Sequence, residues 1–133
     1  MIPRLREDGM LPVGIHQATL NELFIAFPGR NQQRQLLNDS LRRVIAALRT
    51  LDTTIMIFID GSYVTSKAEP NDIDLLLITS HHTEPAVRRH LDQVCPVEAV
   101  SCAVYVEAAL PNRIFILYTK TRAGTAKGII QIL

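Results

Sequence analysis

Apolar positions along the chain recur at helical spacing in its first third and at strand spacing thereafter. In Thr19-Leu-Asn-Glu22 a hydroxyl is followed three residues later by Glu, the pattern of a capping box. Behind it Leu20, Leu23, Phe24 and Phe27 share one helical face, and Pro28-Gly29 ends this short helix. Asn31 is placed to cap a second, longer helix running to about Arg49. Its buried stripe is Leu37, Leu41, Val44, Ile45 and Leu48. Arg34, Arg42, Arg43 and Arg49 fall mostly off that stripe and read first as a solvated polar face, second as a nucleic-acid patch.

The rest of the chain reads as strands with one more helix. Residues 53–59 are β-branched and continuously apolar, as expected of a strand covered on both faces. Residues 72–79 begin with alternating acid and aliphatic side chains and then run fully apolar, a second strand. Pro85 to Leu91 suits a short helix, Val97 to Glu107 holds strand material, and residues 113–119 form another strand. A turn over 121–128 leads to a last strand, Ile129 to Leu133. The first fifteen residues, with Pro3, Gly9, Pro12 and Gly14, are expected to form an irregular arm packed across the domain. This order predicts one α+β (mixed α/β) domain over residues 1–133, a mixed sheet flanked by helices.

Composition narrows the class. Of the 133 residues, 47% are apolar and 20% charged, the balance of a soluble globular protein of one domain. The net charge of +1 creates no global basic field for nucleic acid. No apolar run reaches the roughly 18 residues of a membrane span. The charged start, Met1-Ile-Pro-Arg-Leu-Arg, is unlike a secretory signal, so a cytoplasmic location is expected. Cys95 and Cys102 have no zinc-ligand spacing, and Cys102 reads as a small core residue.

The chemistry concentrates in Asp60-Gly-Ser-Tyr-Val-Thr-Ser-Lys-Ala-Glu-Pro-Asn-Asp-Ile-Asp74. Gly61 permits a tight turn or a close backbone approach to a bound group. Ser62 adds a hydroxyl beside backbone N–H groups, as a phosphate oxygen requires. Residues two apart on a strand point to one face, so Asp72 and Asp74 aim two carboxylates at one point while Ile73 and Leu75 enter the core. Carboxylates that close repel unless a cation or proton lies between them, and Mg²⁺ bound also to phosphate oxygens suits them. The plainer alternative is a β-turn-β unit in which Pro70-Asn71-Asp72 merely turns the chain. Lys67 in the spacer and Lys127 near the end are each either a phosphate contact or a solvated loop lysine.

Gly61-Ser62, a spacer, then Asp72-Ile-Asp74-Leu resembles the signature of the polymerase-beta-like nucleotidyltransferases, in their small bacterial and phage-associated branch. Residues 12–19 and 122–129 resemble an uncharacterised subgroup with the same core. The resemblance implies that Gly61 and Ser62 hold the triphosphate of ATP or another nucleoside triphosphate, and that Asp72 and Asp74 bind catalytic Mg²⁺. It implies transfer of a nucleoside monophosphate to a hydroxyl of a protein or nucleic acid, with release of pyrophosphate. It also implies a protein partner or a homo-oligomer, in a toxin–antitoxin or phage-defence pair.

In that family a third carboxylate comes from a neighbouring strand, just before an aliphatic-aromatic pair. Val104-Tyr105 is such a pair, and Ala103 precedes it. Glu107 shares the face of Ala103 by strand alternation, roughly 13 Å along; it is the metal candidate there, with Glu98 a second. Two functions stay open: an active Mg²⁺-dependent enzyme, and a catalytically reduced, antitoxin-like module that binds nucleotide or a partner.

Overall fold

The computed structural model describes residues 2–94, 99–106 and 126–133. Its elements, in chain order, are β1 (Gly14–Ala18), α1 (Leu20–Ala26), α2 (Gln32–Leu51), β2 (Met56–Asp60), a single 3-10 turn (Ser62–Val64), β3 (Ile73–Thr79), α3 (Glu84–Val94), β4 (Val100–Val106) and β5 (Gly128–Ile132). The fold is α+β: among the described residues it has three α-helices and a five-stranded mixed sheet of order β1-β5-β2-β3-β4. β2 is antiparallel to β3 and β5, whereas β1–β5 and β3–β4 are parallel.

The helix ends follow local chemistry. Thr19 and Glu22 form the reciprocal capping box at α1, and the Asn31 side chain accepts from the Arg34 N–H at 2.8 Å to start α2. Leu37, Leu41, Val44, Ile45 and Leu48 of α2 pack with Leu23 of α1 and with Val87 and Leu91 of α3. They meet Ile57 and Ile59 of β2, Ile73, Leu75 and Leu77 of β3, and Ile130 and Ile132 of β5. Burial of this apolar surface drives the assembly. The opposite sheet face carries a smaller buried cluster, Phe58, Leu76, Ile78 and Ile129. β2 is therefore buried on both faces, which explains its unbroken apolar run.

Several boundaries differ from the sequence pattern. Gly14–Ala18 is a strand, at one edge of the sheet among the described residues, rather than the end of an arm. Its intrinsic signal is short, and parallel pairing with the distant β5 creates it. β2 starts at Met56 because Asp52 folds Thr53-Thr54 into a turn, accepting from the Thr54 N–H at 2.8 Å and from its hydroxyl at 2.7 Å. The arginines of α2 do not make one solvated face. Arg34 is buried, and Arg49 donates to the carbonyls of Thr53, Ile55 and Ile132. The expected strand over 113–119 lies outside the described residues.

Candidate functional site

β2 and β3 are joined through the Gly61-Ser62 turn, and their register sets Asp60 directly opposite Asp74. Cross-strand partners in an antiparallel pair project to the same face with Cβ atoms about 5 Å apart. That face is the one opposite the helices, since Ile59, Ile73 and Leu75 fill the helix-covered core. Gly61 has φ +81°, and a Cβ there would lie 2.3 Å from Oδ2 of Asp74. The missing side chain thus makes space for the Asp74 carboxylate against the turn, as well as permitting the backbone conformation.

These groups open onto a cleft of about 520 Å³ lined by Asp60, Gly61, Ser62, Thr65, Ser66, Lys67, Asp74 and Lys127, with Asp8, Gly9 and Met10 of the N-terminal segment as its further wall. That wall is pinned at two points. Ser66 N–H donates to the Gly9 carbonyl at 3.0 Å, and Gly128 N–H donates to the Leu11 carbonyl at 3.1 Å. Gly9 has φ +80° and lies so close to Ser66 that a Cβ would meet its hydroxyl.

Lys127, just before β5, donates its ammonium to Oδ1 of Asp60. Both residues are under a tenth exposed. Burial pulls the Lys127 ammonium below the ordinary lysine value, while an adjacent carboxylate favours its charged form. Two carboxylates placed opposite each other repel, so this cation offsets part of the local negative charge.

The loop that follows Ser62 is held rigidly from beneath. Arg34 donates to the carbonyls of Tyr63 at 3.0 Å, Thr65 at 2.9 Å and Lys67 at 2.7 Å. Its guanidinium also stacks over the rings of Phe27 and Tyr63, with centroids at 5.7 and 5.3 Å. Asn31 donates to the Ala68 carbonyl at 2.8 Å, and Gln33 to that of Pro70 at 2.8 Å. Tyr63 is fully buried and donates its hydroxyl to Asn38, and burial pushes its pKa up. The first turn of α2 therefore fixes the path of residues 63–70, and with it the position of Ser62 and Lys67.

Of the residues singled out from sequence, Gly61, Ser62, Lys67, Asp74 and Lys127 line the cleft together. Asp72 stands one residue before β3, half-buried, and is not among the cleft-lining residues. Ala103 pairs with Leu76, and Ser101 is the β4 residue beside Asp74. Ala103 thus packs against the apolar cluster. Glu107 and Glu98 lie outside the described residues. The carboxylate that the sequence reading passed over is Asp60. It alternates with the buried Phe58 and immediately precedes Gly61, so strand alternation and antiparallel register together would have found it.

The donor set fits a divalent cation. Mg²⁺ takes one or two carboxylates and completes its shell with water and substrate phosphate oxygens, and Asp60 and Asp74 face each other beside a hydroxyl-bearing turn. Among the described residues no group of three or more His, Cys, Asp and Glu forms an all-protein metal site. Water or phosphate oxygens would complete the shell around the two carboxylates. Among the described residues, no helix is long and apolar enough to cross a membrane.

No curated protein and no solved structure matches the chain. A family model does, over residues 3–133, a span that includes the whole cleft from Asp8 to Lys127. The chain belongs to that family, a family of unknown function (DUF6932).

Proposed function

We propose that the chain is a metal-dependent nucleotidyltransferase, moving a nucleoside monophosphate from ATP or another nucleoside triphosphate to a hydroxyl of a protein or nucleic acid. The observation that carries this reading is the cross-strand pair Asp60–Asp74 at the Gly61-Ser62 turn, opening onto a cleft that also holds Lys67 and Lys127. Carboxylates for a metal and cations for a polyphosphate then share one cavity.

Asp74 and Asp60 are the groups that would hold Mg²⁺, with Asp72 outside the cleft at the entrance to β3. Bound there, the ion supplies charge neutralisation and orientation for the phosphates. The Ser62 hydroxyl donates to a phosphate oxygen, and the bare Gly61 backbone lets the phosphate approach. Lys67 and Lys127 offset the charge of the polyphosphate tail. In the reaction a bond forms between the acceptor oxygen and the α-phosphorus. The bond from that phosphorus to the bridging oxygen breaks, pyrophosphate leaves, and the hydroxyl proton passes to solvent. The acceptor is supplied in trans, by a protein or nucleic-acid partner or by a second copy of the chain, in a cytoplasmic toxin–antitoxin or phage-defence pair.

A second reading has its own observation. Ala103 packs in an apolar cluster and Asp60 is already engaged by Lys127. That favours a catalytically reduced, antitoxin-like fold that binds nucleotide or a partner without transferring. Incubation with each α-³²P-labelled triphosphate, Mg²⁺ and host-cell extract separates the two. Label on protein or nucleic acid that disappears in Asp74→Asn supports the enzyme. Nucleotide binding without label supports the module.

A further inference from the structure

Lys127 and Asp60 form a buried ion pair inside the cleft, 67 residues apart in sequence and joined only by the fold. Asp60 is one of the two carboxylates that face each other across β2 and β3. A divalent cation and the Lys127 ammonium therefore compete for the same carboxylate. Lys127 is covalently tethered and always present, whereas a metal ion must be recruited from solution and dehydrated. The ammonium also has another anion to go to, because it lines the cleft with Ser62 and Lys67, where a polyphosphate would lie.

On this basis we infer that Lys127 is a tethered counter-ion that keeps Asp60 from binding metal until a polyphosphate enters the cleft and takes the ammonium. Metal and polyphosphate then load together rather than independently. The inference rests on the reading of the cleft as a metal and phosphate site, and it does not require that any nucleotide be transferred.

Bare Mn²⁺ is the probe, titrated by calorimetry or by its electron-spin signal, with no phosphate present. Wild type should bind it weakly. Lys127→Met should bind it roughly tenfold more tightly or better, since a unit charge a few ångströms away is removed from a half-dry site. The double variant Lys127→Met/Asp60→Asn should lose that gain. An unchanged or weakened Mn²⁺ affinity in folded Lys127→Met overturns the inference.

Asp60→Asn alone provides an independent arm should Lys127→Met fail to fold. Its loss of Mn²⁺ affinity relative to wild type should be larger with inorganic tripolyphosphate present than without it, because without phosphate the change removes only a nearby charge and with phosphate it removes a metal ligand as well. An equal or larger loss without phosphate would show Asp60 to be free for metal already and would sink the idea. Failure of nucleotide transfer leaves all these outcomes readable, so the two readings stand or fall separately.

Discussion

Oδ2 of Asp74 lies over Cα of Gly61, so close that a Cβ at that position would stand 2.3 Å from it. The turn glycine and the strand aspartate are thus one packing unit, in which a side chain at Gly61 would displace the Asp74 carboxylate. Gly61→Ala should therefore fail twice, by strain at φ +81° and by displacing the carboxylate. The expected destabilisation is about 1–3 kcal/mol, measured by urea unfolding. Nucleotide binding should be lost even where the variant remains folded.

Ser62→Ala separates the site from the fold. Ser62 is half-buried and lines the cleft, and its carbonyl, not its hydroxyl, holds the loop by accepting from the Thr65 N–H and hydroxyl. Loss of one hydrogen bond to a charged oxygen should weaken triphosphate binding roughly tenfold or more. The melting temperature of the free protein should stay unchanged. A large fall in stability with intact affinity would assign the hydroxyl to the fold.

Arg34→Met tests the clamp beneath the loop. The guanidinium satisfies three carbonyls, those of Tyr63, Thr65 and Lys67. Removing it leaves the buried Tyr63 carbonyl and the two part-buried ones without that donor, costing about 1–3 kcal/mol. Hydrogen exchange should accelerate over residues 63–68 while the amides of β2 and β3 stay protected. Uniform acceleration across the sheet would contradict a local clamp.

Asp52 links stability to pH. The Thr54 hydroxyl, the Thr54 N–H and the Thr83 hydroxyl donate to its carboxylate and hold its pKa below the usual range. A folded value below the unfolded one stabilises fully above the unfolded carboxylate value and is lost as pH falls through the folded one. Wild type should therefore lose more stability than Asp52→Asn between about pH 5 and about pH 2. Chemical unfolding of both proteins at the two pH values reads the difference directly.

Much of this was legible in the residues. The capping box at Thr19–Glu22 and the stripe from Leu37 to Leu48 are local signals, and α1 and α2 follow them. Gly61, Ser62, Lys67 and Asp74 reach one cleft because a strand, a turn and a second strand are contiguous in sequence. What escaped depends on pairing at long range. β1 exists only beside β5, and Asp8–Met10 become a cleft wall only through contacts with Ser66 and β5. Lys127 reaches Asp60 through the β2–β5 pairing, which no local pattern announces. Arg34 sits off the apolar stripe and yet is buried, because its partners are loop carbonyls rather than side chains.

Thermal unfolding with each of the four nucleoside triphosphates, with and without Mg²⁺, for wild type and Asp74→Asn, reads metal-dependent triphosphate binding at the cleft. At a hundred times its dissociation constant a ligand stabilises by about 2.7 kcal/mol, a rise of several degrees for a chain of this size. A Mg²⁺-dependent rise with at least one triphosphate, lost in the variant, is expected of a nucleotidyltransferase site. No rise with any of them, or the same rise in Asp74→Asn, rules that site out.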